Sequence, residues 1–146
     1  MNQLATTLNP YLFFGGSCRE AMTFYQRVFG GKLSMSNFGD GPDDAHQDPK
    51  ANSEAVKSKI MHARLDGDIV LLASDNPHGT EAKNTGQFSL SLEGSDGDRL
   101  TGYFEKLAQQ GQITAPLIKQ FWGDHFGMVI DQYGVNWMVT IRNEKT

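Results

Sequence analysis

The stretch NPYLFFGGSCREAMTFYQRVFGGK, residues 9–32, decides the fold, because residues 87–112, QFSLSLEGSDGDRLTGYFEKLAQQGQ, repeat its pattern. Each stretch predicts a short apolar strand, a turn, an amphipathic helix and a glycine that ends the helix. The apolar stripes of the two helices match position by position at a spacing of 79 residues. They consist of Ala21, Phe24, Tyr25, Val28 and Phe29 in the first helix and of Leu100, Tyr103, Phe104, Leu107 and Ala108 in the second.

Three further apolar segments follow each helix, so the order βαβββ occurs twice. This order predicts an α+β fold in which two modules, at about 8–75 and 86–142, form a curved mixed sheet with the helices outside. A length of 146 residues suits one domain that spans residues 1–146. The predicted strands are 8–14, 32–38, 57–65 and 69–74 in the first module and 87–92, 113–121, 126–131 and 135–141 in the second.

Local signals predict where the helices begin and where the chain forms loops. Ser17 and Glu20 have the spacing of a capping box, and residues 95–98 supply a cap for the second helix. Residues 39–53 lack apolar periodicity and predict an acidic loop, whose order the sequence leaves open. Two loop histidines, His46 and His78, are expected to be solvated.

The charge balance argues against several classes of function. Thirteen basic and seventeen acidic residues give a net charge of −4, whereas a nucleic-acid partner requires a basic face. No apolar run reaches the ~20 residues of a membrane-spanning helix, so no membrane partner is expected. The first residues do not resemble a signal peptide, and Cys18 is the only cysteine. We therefore expect a cytoplasmic protein in a reducing compartment.

Strict alternation in residues 87–92 assigns the side chains of this predicted strand to two faces of the sheet. One set is apolar and is expected to face the helix, so the polar set is expected to face the concave side. Tyr11 in the first strand is expected to project to that side as well. The apolar set is Phe88, Leu90 and Leu92, and the polar set is Gln87, Ser89 and Ser91.

Several motifs together resemble a known superfamily. They are residues 9–14, Glu20-Ala21, Phe24-Tyr25, Gly30-Gly31, Met61-His62-Ala63, residues 71–75, residues 122–127, Asp131, Gly134 and Trp137. This set resembles the vicinal oxygen chelate superfamily of glyoxalase I, bleomycin-resistance proteins and extradiol dioxygenases, and within it the PhnB-like branch. The resemblance extends from about residue 8 to residue 141. It implies a glyoxalase-like fold, a homodimer and a small-molecule site on the concave sheet.

The resemblance also implies where metal-dependent members bind a divalent metal. The first-strand position falls at Asn9 or Pro10, the matching position of the second module at Gln87, and the third at Met138, four residues after Gly134. Divalent metals of this kind prefer carboxylate or imidazole ligands. We therefore predict no cofactor and no metal at these positions, which leaves a divalent metal open only at relocated ligands.

Three residues are candidates for catalysis: His62, His125 and Asp124. Imidazole titrates near neutral pH, which suits general acid–base work, and a nearby carboxylate could act with it. Each also has a structural interpretation, His62 as a strand histidine bonded to a backbone carbonyl and the other two as part of a turn. The predicted pocket residues are Asn9, Tyr11, His62, Gln87, Ser89, Trp122 and Met138.

Four further residues have simpler interpretations. Trp137 shares its strand face with apolar residues and is expected in the core. Asp75 and Glu93 end strands and are expected to be surface charges. Cys18 lies in the first turn of a predicted helix, where the helix dipole would lower the pKa of its thiol.

The leading functional hypothesis is a small-molecule-binding protein of the PhnB-like type that lacks the usual metal triad. A metal-dependent lyase or isomerase with relocated histidine ligands is one alternative, and a non-catalytic interaction scaffold is another. The sequence does not decide whether the protein is an enzyme. It also leaves open the ligand, and whether the pocket forms within one chain or across a dimer.

Overall fold

The computed structural model of the chain describes residues 5–40, 54–77 and 86–143. The chain divides into two compact units, residues 1–82 and 83–146. Each unit contains a long helix and four strands in the order βαβββ, and each sheet mixes parallel and antiparallel pairs. This confirms the predicted α+β architecture of two βαβββ modules.

The first unit contains β1 (Tyr11–Phe14), α1 (Cys18–Phe29), β2 (Lys32–Asn37), a 3₁₀ turn (Phe38–Asp40), the short helix α2 (Glu54–Lys57), β3 (Ile60–Asp66) and β4 (Leu71–Asp75). The second unit contains β5 (Leu90–Gly94), α3 (Gly97–Leu107), β6 (Gln112–Lys119), β7 (His125–Ile130) and β8 (Asn136–Ile141). In the part of the chain that is described, no helix has the length and apolar character needed to cross a membrane.

The two sheets have the same strand order, β1-β4-β3-β2 in the first unit and β5-β8-β7-β6 in the second. In each sheet the first strand pairs in parallel with the last, and the other pairs are antiparallel. The first and second strands, which the helix connects, lie at opposite edges of the sheet. The last strand then occupies the place beside the first.

Helix α1 follows the apolar periodicity of its sequence. All five residues of the predicted stripe are buried, and the helix packs against β2, β3 and β4. Burying each large apolar side chain of this kind stabilises the unit by about 1.5–3 kcal/mol. Gly30 and Gly31 end the helix with φ angles of 75° and 99°, which only glycine adopts without strain. A Cβ at Gly31 would lie 2.8 Å from the Asp66 carbonyl oxygen.

Helix α3 buries the same face through Leu100, Phe104 and Leu107. Its start agrees with the prediction from residues 95–98, because the Asp96 carboxylate accepts a hydrogen bond from the Arg99 backbone N–H at 3.1 Å. A side-chain oxygen in this position satisfies one of the unpaired N–H groups of the first turn. The second unit therefore has the helix start that its local sequence predicts.

The start of α1 differs from the predicted capping box. Ser17 is the N-cap residue, but its side chain makes no capping hydrogen bond. The acceptor comes from the end of β4: Asp75 Oδ1 accepts from the Cys18 backbone N–H at 3.0 Å. The other oxygen, Oδ2, accepts from the backbone N–H of Ile60 at 2.8 Å. The carboxylate therefore connects the start of α1, the end of β4 and the start of β3.

The interpretation of Asp75 as a surface charge is wrong, since the residue is only 3% exposed. Glu93, at the end of β5, is exposed as expected. The two residues look alike in sequence because each follows an apolar strand. They differ because α1 and β3 bring two backbone N–H groups to Asp75.

Strands β1 and β5 are among those that begin later than expected. Strand β1 starts at Tyr11, directly after Pro10, which has no N–H for a ladder hydrogen bond. Strand β5 starts at Leu90, and Phe88 is 81% exposed, so the prediction that Phe88 faces the helix is wrong. The carbonyl oxygen of Phe88, which precedes the ladder, accepts from the Asn136 side-chain amide at 2.9 Å.

The region between β2 and β3 differs in part from the prediction. Residues 54–57 form α2, so β3 starts at Ile60 rather than at residue 57. Of the predicted acidic loop, residues 39–40 lie in the 3₁₀ turn, and residues 41–53, with His46, lie outside the described residues. His78 lies outside them as well.

The turn before β8 gives Asp131, Gly134 and Trp137 connected structural roles. Asp131 Oδ1 accepts from the backbone N–H groups of Tyr133 and Val135, and Oδ2 accepts from the Trp137 indole N–H at 2.8 Å. Gly134 has a φ of 88° in this turn. Trp137 is buried, which confirms its expected place in the core.

We predict that Asp75→Ala lowers the free energy of unfolding by about 2–4 kcal/mol, because it leaves two buried backbone N–H groups without their acceptor. Urea unfolding followed by circular dichroism measures the change. The matched control is Glu93→Ala, which removes an exposed carboxylate from a strand end and should change stability by about 0.5 kcal/mol or less. Equal effects of the two substitutions would contradict the connecting role of Asp75.

Candidate functional site

Each strand of the first unit alternates between a face covered by α1 and a face that α1 does not cover. The buried residues Ala63, Leu65, Leu71 and Ala73 lie on the covered face. Residues that alternate with them form what we call the open face. It carries Tyr11 and Phe13 of β1, Leu72 and Ser74 of β4, His62 and Arg64 of β3, and Ser34 and Ser36 of β2.

Three rings form a continuous row on this open face. The ring centroids of Phe13 and Tyr11 are 5.0 Å apart, and those of Tyr11 and His62 are 5.9 Å apart. Both contacts are tilted, as aromatic pairs prefer. We call these three residues the aromatic row. Two of the predicted pocket residues, Tyr11 and His62, are therefore brought together across 51 positions of sequence.

The register of the sheet explains this contact. Phe13 pairs with Ser74, and Tyr11 pairs with Leu72, so the side chains of β4 lie between β1 and β3. Ser74, which lies between them, is small and buried. The Tyr11 hydroxyl lies 3.3 Å from Nδ1 of His62 and so reaches across β4.

The Tyr11–His62 contact has two forms, because the tyrosine hydroxyl can both donate and accept. In the tautomer in which Nδ1 accepts from the hydroxyl, the ring proton is carried by Nε2. His62 is exposed, and its interpretation as a histidine bonded to a backbone carbonyl is not supported by its side-chain partner. The exposed ring therefore presents Nε2 to a bound molecule, and in that tautomer Nε2 is a donor.

Charged side chains lie on the same face beside the aromatic row. Arg64 is two residues from His62 on β3, and its Nε lies 3.7 Å from Oδ2 of Asp66. Both side chains of this ion pair are about half exposed, at 45% and 60%. Lys32 pairs with Asp66 across β2 and β3. An exposed ion pair such as Arg64–Asp66 contributes little to stability, about 0–1 kcal/mol.

The second unit places Met138 on the corresponding face of its own sheet. The residue is half-buried and pairs with Ser91 of β5 and Met128 of β7. Buried Trp137 and Val139 alternate with it and lie on the face toward α3. The ladder partners of Met138 therefore carry a hydroxyl, in Ser91, and a second thioether, in Met128.

Three other predicted pocket residues of this unit lie outside its strands. Gln87 and Ser89 are exposed and precede β5, so they do not belong to the sheet. Trp122 lies in the turn between β6 and β7 and packs edge to face on Phe121, with ring centroids 4.9 Å apart. Phe121 is 97% exposed, so this pair forms an exposed tip of the turn.

The turn also contains Asp124 and His125. Asp124 Oδ1 accepts from the Asn143 backbone N–H at 2.9 Å, and its own carbonyl oxygen accepts from the Gln120 N–H. His125 is exposed at the start of β7 and pairs with Lys119 in the ladder. These contacts favour the interpretation of the two residues as part of a turn.

The metal positions implied by the resemblance carry a donor set that does not fit a divalent metal. Asn9 is half-buried, and its side-chain amide donates to the Thr7 hydroxyl at 3.1 Å. Met138 offers only a thioether, and Gln87 a neutral amide. Divalent magnesium, manganese, zinc and iron bind carboxylate and imidazole instead. Over residues 5–40, 54–77 and 86–143, no group of three or more His, Cys, Asp or Glu side chains has the arrangement needed to hold a metal ion.

Cys18 is fully buried, and burial raises the pKa of its thiol to about 12, with the Asp75 carboxylate adding to the effect. The expectation that the helix start lowers this pKa is therefore wrong. The negative charge that accepts from the Cys18 N–H also repels a thiolate at the same place. The thiol is consequently a packing group of the core.

Sequence reasoning missed Phe13, Ser74 and Arg64. Phe13 stands in a run of aromatic and apolar residues, so its face is not apparent without a partner strand. The usable signal is its spacing of two from Tyr11, which places both side chains on one side of a strand. Arg64 carries the same signal relative to His62.

The sequence of this chain matches a family model and a known protein over most of its length. The model of the Glyoxalase/Bleomycin resistance protein/Dioxygenase superfamily matches residues 7–139. Protein YjdN of Escherichia coli (strain K12) is 31% identical over 140 residues, which cover 92% of this chain and 94% of that protein.

Two solved structures are similar over almost the whole chain. Protein PA1353 from Pseudomonas aeruginosa is 39% identical, with a TM-score of 0.77 over 92% of this chain and 96% of that one. The PhnB protein from Bacillus cereus is 24% identical, with a TM-score of 0.68 over 92% of this chain and 98% of that one. The second likeness shows the fold alone.

We predict that the free energy of unfolding falls as the pH rises from about 9 toward 12, partly through Cys18. The thiol ionises in the unfolded chain near its ordinary pKa but stays protonated in the folded chain, so higher pH favours unfolding. Urea unfolding at pH 8 and at pH 10.5 measures this dependence. Cys18→Ala should reduce it, and an unchanged dependence in that variant would contradict the raised pKa.

Proposed function

This chain belongs to the Glyoxalase/Bleomycin resistance protein/Dioxygenase superfamily, and from that premise we propose that it binds a small organic molecule on the open face of its first unit. The observation that carries the proposal is the aromatic row of Phe13, Tyr11 and His62 with its hydrogen bond. The row is the place where a flat molecule gains both ring contact and a polar partner.

Exposure of the row supports a binding role over a packing role. Phe13 is 62% exposed and Tyr11 is 38% exposed, although both are large aromatic side chains. Aromatic contacts are worth about 0.5–1.5 kcal/mol each beyond the area that they bury. Two or three such contacts with a ligand ring, together with one hydrogen bond, are enough for a small-molecule site.

We propose that this site works without a divalent metal. Support comes from the donor set at the positions where the family's metal-dependent members bind one: Asn9, Gln87 and Met138. Because these side chains are poor ligands for such metals, binding would depend on shape, ring contacts and hydrogen bonds.

We also propose a homodimer that acts in the cytoplasm. The single cysteine is buried and free, which suits a reducing compartment. Several large apolar side chains are exposed on the single chain, and a partner chain would remove part of this area from water. They include Leu8, Phe88, Ile113 and Ile118.

The dimer predicts a solution mass twice that of one chain. Size-exclusion chromatography with multi-angle light scattering measures this mass over a range of protein concentrations. A mass equal to one chain at every concentration tested would contradict the dimer.

The binding proposal predicts that the neutral probe 2-naphthalenemethanol binds with an affinity that depends on the aromatic row. Isothermal titration calorimetry should show that Tyr11→Ala and Phe13→Ala each weaken binding about fivefold, because each removes one ring contact. Tyr11→Phe retains the ring and should weaken binding less than Tyr11→Ala does.

The matched control is Phe121→Ala, which removes an exposed aromatic side chain from the second unit. It should leave the affinity unchanged. No detectable binding to the unsubstituted protein, or equal losses in all the alanine variants, would overturn the proposed site.

A further inference from the structure

We infer that the molecule bound on the open face is a flat, ring-bearing carboxylic acid, an inference that rests on the proposed function and specifies its ligand. The carboxylate would be bound by His62 and Arg64, and the ring would lie over the aromatic row. Three observations carry this: the hydrogen-bond donors, the spacing of the side chains and the balance of charge on the face.

The first observation is that the groups next to the aromatic row are donors. In the tautomer in which Nδ1 accepts from the Tyr11 hydroxyl, Nε2 of His62 carries a proton and is a donor. Arg64 has donors only, and its ion pair with Asp66 engages Nε at 3.7 Å. A ligand that satisfies both residues must therefore supply acceptor atoms, and a carboxylate supplies two.

The second observation is the spacing of these residues. His62 and Arg64 are two positions apart on β3 and share a face, so their Cα atoms are about 6.5–7 Å apart. Arg64 pairs with Leu72, which pairs with Tyr11, so two strand spacings, about 9.5 Å, separate Arg64 from Tyr11. One aromatic ring or two fused rings with an attached carboxylate would span this distance.

The third observation is the sign of the charge. The open face carries two permanent cations, Lys32 and Arg64, and one carboxylate, Asp66, which lies next to both in the ladder. The other polar side chains on it are the hydroxyls of Tyr11, Ser34, Ser36 and Ser74 and the imidazole of His62. Within the described residues, this face is therefore net positive, although the whole chain carries −4.

The same balance excludes a cationic ligand at this place. A cation over the aromatic row would gain contact with the rings, but it would lie beside the Arg64 guanidinium and find no carboxylate next to the row. A neutral alcohol with the same ring gains the ring contacts and an ordinary hydrogen bond, but no charge-assisted hydrogen bond to Arg64. The order of affinity expected for three compounds with one ring system is acid, then alcohol, then amine.

The test compares 2-naphthoate, 2-naphthalenemethanol and 2-naphthylmethylammonium by isothermal titration calorimetry at pH 7.5, with the full chain. We expect 2-naphthoate to bind about fivefold more tightly than the alcohol, because it adds a charge-assisted hydrogen bond at a half-exposed site. Arg64→Gln should abolish this preference and leave the affinity for the alcohol unchanged.

The matched control is Arg142→Gln, which removes the same charge from an exposed residue of the second unit. It should leave the preference for the acid intact. Loss of the preference in both variants would overturn the inference in favour of a general charge effect, as would a preference that survives Arg64→Gln.

The remaining outcomes separate this inference from the proposed function. If the alcohol or the ammonium compound binds as tightly as the acid, and Tyr11→Ala weakens them all, the site stands and the acid is the wrong ligand class. If none of the three compounds binds, the proposed function itself is overturned.

Discussion

The buried carboxylate of Asp75 is the constraint on which the arrangement of the first unit depends. One oxygen accepts from the first residue of α1 and the other from the first residue of β3, while the aspartate itself ends β4. These two bonds fix the start of β3 two residues before His62. They thereby hold the register in which the imidazole lies across β4 from the Tyr11 hydroxyl. A group with a structural task therefore positions the residues proposed to bind the ligand.

The two units share a scaffold but present different chemistry. The Phe14 carbonyl oxygen accepts from the backbone N–H of Asn76, directly after β4. The Gly94 carbonyl oxygen accepts from the backbone N–H of Arg142, directly after β8. Phe14 and Gly94 therefore occupy equivalent positions in the two units. By this correspondence Tyr11 matches Ser91, a position where the second sheet has no ring. The duplication preserves the helix stripes and the strand order, because these build each core. The open faces are not needed for the core and have diverged.

Most of the fold was predictable from the sequence because its signals are local. Helix stripes, glycine stops and the Asp96 cap depend on residues a few positions apart. The start of β5 was not predictable, since it depends on contacts distant in sequence, such as that of Phe88 with the Asn136 amide 48 residues later. The candidate site was predicted only in part for the same reason. Tyr11 and His62 were each identified, but their contact depends on a register that no local pattern specifies.

The most direct test of the account is an NMR titration of the isotope-labelled protein with 2-naphthoate, which reports where the ligand ring lies. The account predicts that the largest shifts occur in the side-chain ring signals of Phe13, Tyr11 and His62, because the aromatic ring of a bound ligand alters the field at the rings that it contacts. Small shifts at these three residues, with large ones at Phe121 and Trp122, would contradict it.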